Sequence, residues 1–106
     1  MLNMLKQLLG FGPATDYADL IRQNAIILDV RTKNEFKSGN IKKSINIPVD
    51  VLHNNLKHLK DKNRPIITCC ASGARSAMAK RLLKSQGYTQ VYNGGGWNRL
   101  QSKIAP

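Results

Sequence analysis

The sequence predicts an α/β fold, with an open, largely parallel β-sheet of about four to five strands flanked by helices on both faces. Two short, mostly apolar runs, at 25–28 and 66–69, have the pattern of strands that are buried on both faces of a sheet. Segments with helical spacing of apolar residues separate and follow these runs, an alternation typical of parallel sheets whose strands are joined by helices. The 106 residues suffice for one compact domain with one hydrophobic core.

The segments up to the second apolar run are interpreted, in order, as a helix over 16–22, the strand over 25–28, a helical turn over 34–37, a strand over 45–47 and a helix over 50–59. Thr15 or Asp16 is the expected N-cap of the first helix, and Asp50 is the expected N-cap of the last. Gly39 should end the helical turn, and Pro48 should close the short strand because proline cannot donate to a ladder.

After the second apolar run, the pattern predicts a helix over about 75–86, a strand over 90–92 and a final helix. The residues expected on the inward face of the first of these helices are Ala77, Met78, Leu82 and Leu83. Gly87 is expected at its C′ position, where a left-handed backbone is common. Glycines 94–96 should turn the chain into the final helix. The apolar residues of that helix are Trp97, Leu100 and Ile104.

The N-terminal segment is treated separately from the domain. Residues 1–14 are expected to form a helical extension that packs on a single domain spanning 15–106. The segment lacks the small-residue cleavage site of a secretory signal, and no apolar run approaches the roughly 20 residues needed to span a bilayer. A weak membrane-surface anchor is the alternative, although Lys6 alone would attract anionic lipid only slightly. Firm membrane association is therefore not expected.

Charge is distributed unevenly along the chain, which has a formal net charge of +11. All six acidic residues precede Lys62, whereas eight of the 17 basic residues lie from Lys62 onward. Basic residues around a site create a potential that favours anions, so we expect a small anionic substrate or an acidic protein partner. A nucleic-acid partner is not expected, because the sequence contains neither an aromatic-and-basic strip nor a recognised binding module.

The two cysteines are adjacent, as Cys69 and Cys70. Adjacent cysteines form a strained bridge, and two are too few for a disulfide scaffold or a zinc site. His53 and His58 are five residues apart in a predicted helix, so they do not share a face on which to hold a metal. Two free thiols indicate a reducing compartment, and we therefore expect a cytoplasmic protein with no metal site.

The chemistry is expected where the second buried strand ends, because ligands of open parallel sheets bind beyond the carboxyl ends of the strands. Cys70 stands there, followed by the small residues 71–74 and by Arg75 at the start of a helix. Such a loop can turn successive N–H groups inward, and the helix N-terminus adds a partial positive charge. Arg75 offers a planar guanidinium to an oxyanion. These surroundings should lower the pKa of the Cys70 thiol and favour its nucleophilic thiolate.

Four stretches of the chain, in this order, resemble the rhodanese domain family from about Thr15 to Ile104. The stretches are Leu28–Thr32 with Glu35-Phe36, Gly39–Ile41 with Ser44–Pro48, Cys70–Ser76, and Gly87-Tyr88 with Val91–Gly95. The resemblance implies a rhodanese-like fold and a single-domain sulfurtransferase of the thiosulfate sulfurtransferase type. It also implies that the enzyme works without a metal or an organic cofactor.

The resemblance implies a role for each site residue. Cys70 would be the catalytic nucleophile and would carry the transferred sulfur as a persulfide. The loop that binds substrate and persulfide would consist of Ala71, Ser72, Gly73, Ala74 and Arg75. Asp29 and Arg31 would support the site from the end of the first strand. Thiosulfate or a protein persulfide would donate the sulfur, and cyanide, a thiol or a carrier protein would accept it.

Two neighbouring features carry expectations of their own. Cys69 is expected to be a buried strand residue, and a resolving role against Cys70 is the alternative. An ion pair between Arg31 and Glu35 is expected to brace the loop that follows the first strand.

Two other functions stay open. The chain could be a non-enzymatic persulfide carrier or protein-binding module in a sulfur relay, with its basic half docking an acidic partner. It could also be a cysteine phosphatase or arsenate reductase of the same fold. Those enzymes have five residues between cysteine and arginine, whereas four stand between Cys70 and Arg75. The shorter loop makes a smaller cradle, which suits a persulfide sulfur better than a tetrahedral phosphate.

Overall fold

The computed structural model describes residues 14–104, which form a four-stranded parallel sheet between two layers of helices. The strands are β1 (Ile26–Asp29), β2 (Ile45–Asn46), β3 (Ile66–Cys70) and β4 (Val91–Gly96). The helices are α1 (Tyr17–Arg22), α2 (Lys33–Ser38), α3 (Val49–Leu52), α4 (Ala74–Ser85) and α5 (Trp97–Ile104), with a 3₁₀ turn at Leu56–His58. The predicted α/β class is confirmed. The helical extension expected at 1–14 lies outside the described residues, except for Ala14.

The strands lie in the order β2–β1–β3–β4, and every neighbouring pair is parallel. The two central strands, β1 and β3, are buried along their whole length, as their mostly apolar runs predict. One face of the sheet packs against α3 and α4 through Leu52 and Leu83. The other face packs against α1 and α5 through Leu20 and Leu100. Within 14–104, no helix has the length and apolar character needed to cross a bilayer.

The predicted helix over 50–59 is wrong, because α3 ends at Leu52 and a separate 3₁₀ turn follows. The side chain of Asn55 explains the break. Its Nδ2 donates a hydrogen bond to the Val51 carbonyl at 2.7 Å, and in a continuing helix that carbonyl would accept from the Asn55 backbone N–H instead. The expected cap is also wrong, since Asp50 lies in the first turn and Pro48 occupies the N-cap position.

The predicted inward face of α4 is partly wrong. Ser76, Ala79 and Leu83 are its buried residues, whereas Met78 is 52% exposed. The end of the helix is as predicted: Gly87 has a φ of 93° just after the C-cap. Its N–H donates to the Lys84 carbonyl, and that of Tyr88 donates to the Leu83 carbonyl, both at 3.1 Å. These two bonds form a Schellman motif, which ends α4 firmly at its outer end.

Strand β4 extends further than the predicted 90–92, since it continues through the glycines to Gly96. Its pairing with β3 shifts register between Thr68 and Cys70, so that Cys70 stands opposite Gly96. At Gly94, a Cβ would lie 2.9 Å from both the Ile67 side chain and the Thr68 carbonyl. Only glycine allows this approach, which brings the end of β4 against the end of β3.

Candidate active site

Cys70 is the last residue of β3, and its residue surface is only 1% exposed. Its Sγ accepts hydrogen bonds from the Gly73 N–H at 3.0 Å and from the Ser76 N–H at 3.4 Å. Two backbone donors from the loop and the first turn of α4 therefore point at one sulfur atom. The loop thus has the inward-turned N–H groups that the run of small residues predicts.

The loop owes its shape to Gly73, which precedes α4 with a left-handed φ of 110°. A side chain would be strained in this conformation. Ala71, Ser72 and Ala74 are exposed, while the amide of Gly73 turns inward to the sulfur. The small residues thus form a thin wall between Cys70 and solvent.

The two cysteines differ in acidity. Burial raises the pKa of the Cys70 thiol, but its hydrogen bond with the Ser76 hydroxyl and those from the N–H groups of Ser76, Gly73 and Ser72 outweigh it, so the pKa lies below its usual value of 9.0. Cys69 is fully buried, and burial, assisted by the charge of Asp29, raises its pKa to about 12. Cys69 is the buried strand residue that we expected, and Cys70 is the better nucleophile.

Arg75 does not face an open oxyanion position. Its Nη1 and Nη2 donate to the two carboxylate oxygens of Glu35, at 2.7 and 3.0 Å. The hydrogen bond from Arg75, together with the N–H of Thr32, lowers the pKa of Glu35 to about 2. Glu35 is held by a capping box at the start of α2, where it also accepts the Thr32 N–H at 3.0 Å. The expected Arg31–Glu35 ion pair is therefore wrong, because Glu35 binds the arginine of the loop instead.

Asp29 and Arg31 form a buried ion pair next to the site. Asp29 is fully buried and Arg31 is 3% exposed, and their shortest contact, Nη2–Oδ2, is 2.7 Å. Arg31 also donates to the carbonyls of Glu35 and Gly39 and stacks over Trp97, 4.7 Å from the ring centroid. The pair lies beside Cys69 in the sheet register rather than beside the sulfur of Cys70. It holds α2, and with it Glu35, in place.

Sequence reasoning missed two polar side chains of the site: Ser76, which contacts the sulfur, and Asn93, which contacts Ser76. The Ser76 Oγ lies 3.4 Å from the Sγ of Cys70 and 2.6 Å from the Asn93 Oδ1. Both residues could have been identified from their positions in the sequence. Ser76 directly follows the loop arginine, and Asn93 lies near the carboxyl end of the strand next to β3.

A groove of about 310 Å³ opens beside the loop, lined by Ala71, Ser72, Gly96, Asn98 and Arg99. Arg99 is exposed, and within residues 14–104 no carboxylate forms an ion pair with it. The positive charge near the loop therefore comes from Arg99 more than from the neutralised Arg75. In the same part of the chain, no group of three His, Cys, Asp or Glu side chains is placed to hold a metal ion.

Comparison with known proteins adds three similarities. The chain is 34% identical over 70 residues to the thiosulfate sulfurtransferase PspE of Escherichia coli, covering 65% of this chain and 67% of that protein. It is 35% identical over 78 residues to the tRNA uridine(34) hydroxylase of Buchnera aphidicola, covering 69% of this chain but only 25% of that protein. The structure of the human single-domain sulfurtransferase TSTD1 superposes with a TM-score of 0.70 and 27% identity, covering 80% of this chain and 88% of that one.

The sequence profile of the rhodanese-like domain matches residues 13–103, which include every strand and almost all of the helical residues described above. This match includes the loop after Cys70, as well as β1 and β4, the strands on either side of β3. The chain therefore belongs to the rhodanese-like domain family.

Proposed function

We propose that this protein is a sulfurtransferase that carries sulfane sulfur as a persulfide on Cys70, between an anionic donor and a thiophilic acceptor. The observation that carries the proposal is the pair of N–H donors, from Gly73 and Ser76, aimed at the Cys70 sulfur at 3.0 and 3.4 Å. They favour the thiolate that must attack, and they can hold the anionic persulfide that results.

In the first half of the proposed cycle, the Cys70 thiolate attacks the outer sulfur of thiosulfate. The new S–S bond forms as the sulfur–sulfur bond of thiosulfate breaks, and sulfite leaves with that electron pair. The charge on the enzyme stays the same, because a thiolate becomes a persulfide anion. Arg99, on the wall of the neighbouring groove, provides positive charge for the approach of the dianion.

In the second half, a nucleophile such as cyanide or a thiolate attacks the outer sulfur of the persulfide. The electron pair of the breaking bond returns to Cys70, which becomes a thiolate again, so no external oxidant or reductant is consumed. This exchange follows the rules of thiol–disulfide chemistry, in which a well-stabilised thiolate is a good leaving group.

The similar proteins support the class of reaction. PspE is named a thiosulfate sulfurtransferase and TSTD1 a single-domain sulfurtransferase, and this chain covers most of each. The hydroxylase is about four times longer than the segment matched, so its activity on tRNA is not carried over. We further propose a cytoplasmic location, where two free thiols persist, and an acidic partner protein if the sulfur passes along a relay.

The phosphatase alternative loses support from the pairing of Arg75. A phosphate cradle needs a guanidinium directed at the oxyanion, whereas both terminal nitrogens of Arg75 bind Glu35. The carrier alternative keeps the same Cys70 chemistry and differs only in its donor and acceptor.

Intact mass spectrometry after treatment with thiosulfate tests the proposal. The wild-type protein should gain the mass of one sulfur atom and lose it on addition of cyanide. Cys70→Ala should not gain it, whereas Cys69→Ala, the matched control one residue away, should. A wild-type protein that gains no sulfur from thiosulfate or from a small-molecule persulfide would contradict the proposal.

A further inference from the structure

The hydroxyl of Ser76 has one proton and three acceptors within reach. The Asn93 Oδ1 lies at 2.6 Å, the Gly73 carbonyl at 3.0 Å and the Cys70 Sγ at 3.4 Å. A hydroxyl can donate to only one of them at a time. The acidity of Cys70 therefore depends on which acceptor receives this proton.

The orientation of the Asn93 side-chain amide determines which acceptor receives the Ser76 proton when Cys70 is a thiol. The Gly95 N–H lies 2.9 Å from the Oδ1, and an N–H can donate only to the oxygen end of the amide. The Asn93 Nδ2 faces the Gly73 carbonyl at 3.4 Å, which agrees with this orientation. Since Oδ1 accepts and cannot donate, Ser76 must be the donor in the 2.6 Å contact. Ser76 then presents a lone pair to Cys70, and the Cys70 S–H can donate to it.

This arrangement suits a thiol and opposes a thiolate. When Cys70 ionises, the Ser76 oxygen would face an anionic sulfur with its lone pair unless the hydroxyl turned toward the sulfur. That turn gives the sulfur a third donor, in addition to the two backbone N–H groups, but it breaks the bond to Asn93. Asn93 and the sulfur thus compete for the same proton.

We propose that Asn93 is a positioning residue that holds the Ser76 proton away from Cys70 in the resting thiol and yields it when the sulfur becomes a thiolate or a persulfide. Its part in sulfur transfer rests on the proposed function, whereas its effect on the thiol does not. Asn93 makes Cys70 less acidic than the loop alone would make it.

The charged and titratable groups around Cys70 leave this competition to Asn93. On α5, Arg99 lines the groove beside the loop, and its charge is the same in all of the variants compared below. On α4, Arg75 is paired with Glu35 of α2. On β3, Cys69 is buried and protonated at neutral pH. At the end of β1, the charge of Asp29 is paired with that of Arg31. Strand β4 places the uncharged amide of Asn93 next to Ser76.

The test is the pH dependence of the alkylation of Cys70 by iodoacetamide, measured in a Cys69→Ala background. Asn93→Ala should lower the apparent pKa of Cys70 by about 0.5 to 1 unit, the size expected for one hydrogen bond between uncharged groups. Ser76→Ala should raise it. The double variant should match Ser76→Ala alone, because without the hydroxyl Asn93 has no proton to withhold.

Tyr17→Phe is the matched control. The Tyr17 hydroxyl donates to the Asn93 backbone carbonyl at 3.0 Å. This variant therefore removes a hydrogen bond to β4 at the same residue and leaves the contacts of the Asn93 side-chain amide unchanged. Its alkylation curve should not move. If Asn93→Ala does not fold, Asn93→Asp takes its place: the carboxylate should raise the pKa, and by less when Ser76 is also replaced by alanine.

An unchanged or raised pKa in folded Asn93→Ala, or a shift that persists without Ser76, would overturn the proposal. So would an effect of Asn93→Asp that does not depend on Ser76. The titration needs no sulfur donor, so its failure can be told apart from failure of the proposed function. If the protein takes up no sulfur but its variants show the expected pKa shifts, the proposal about Asn93 stands and the proposed sulfurtransferase function is wrong.

Discussion

Both terminal nitrogens of the Arg75 guanidinium bind the carboxylate of Glu35, at 2.7 and 3.0 Å, across 40 residues of sequence. The contact joins the first turn of α4 to the first turn of α2. The loop arginine therefore acts in this structure as a brace between two helices. The side chains are about one-third exposed, which weakens the pair relative to a buried one.

The first prediction concerns the pH dependence that Glu35 brings to stability. Its pKa falls from 4.5 to about 2 on folding, so the pair stabilises the protein above pH 4.5 and loses that contribution as the pH falls towards 2. Glu35→Gln should be less stable than the wild type at pH 7. The difference in the free energy of unfolding between the two proteins should become smaller as the pH falls below 4.5. Urea unfolding at pH 7, 4 and 3 measures both effects. Equal differences between the two proteins at all three pH values would contradict it.

The second prediction concerns the left-handed glycine of the loop. Gly73→Ala should lower the free energy of unfolding by about 1–2 kcal/mol, because alanine is strained at a φ of 110°. It should also raise the pKa of Cys70, because the Gly73 N–H would leave its position 3.0 Å from the sulfur. Gly87→Ala is the control, with similar strain at a φ of 93° but at the far end of α4. It should lose stability and leave the alkylation of Cys70 unchanged.

The third prediction separates the two thiols. At pH 8 the folded protein should take one alkyl group from iodoacetamide, on Cys70, because the pKa of that thiol is lowered and that of Cys69 is raised to about 12. In denaturant both cysteines should react at similar rates. Peptide mapping locates the label. Rapid labelling of Cys69 in the folded protein would contradict the raised pKa of its thiol.

The fourth prediction concerns the buried ion pair. Asp29→Asn leaves the guanidinium of Arg31 buried without its countercharge, and the expected loss of stability is about 3–5 kcal/mol. Asp19→Asn removes the exposed partner of Arg22 on α1 and should cost about 1 kcal/mol or less. Chemical denaturation of the two variants measures the contrast. Similar losses in both would mean that burial of the Asp29–Arg31 pair has little energetic effect.

The main architecture was predictable because it depends on patterns that are local in sequence. The strands β1 and β3 are mostly apolar because both faces of the sheet are covered there, and the left-handed Gly87 marks the end of α4. The loop between Cys70 and Arg75 was predictable for the same reason, since its donors lie within six residues of the sulfur.

What could not be predicted depends on contacts that are distant in sequence. Glu35 could have paired with Arg31 or Arg75. It pairs with Arg75 because the carboxylate of Asp29 already binds the guanidinium of Arg31. The break after Leu52 depends on one side-chain bond from Asn55, which apolar spacing does not show. Asn93 reaches Ser76 only because β4 lies beside β3, a neighbour relation that the strand pattern alone does not specify.

The glycines at the end of β4 have a consequence for the order of events during synthesis. β4 leaves the ribosome after β3, and it supplies Gly96 opposite Cys70 and the side-chain amide that accepts a hydrogen bond from Ser76. A nascent chain that ends at α4 has β3 as a bare edge, with the cysteine loop unanchored on one side. Because a domain generally folds as a unit, the surroundings of the reactive thiol are complete only after β4 has emerged. The Cys70 thiol is therefore synthesised before the strand that completes its surroundings.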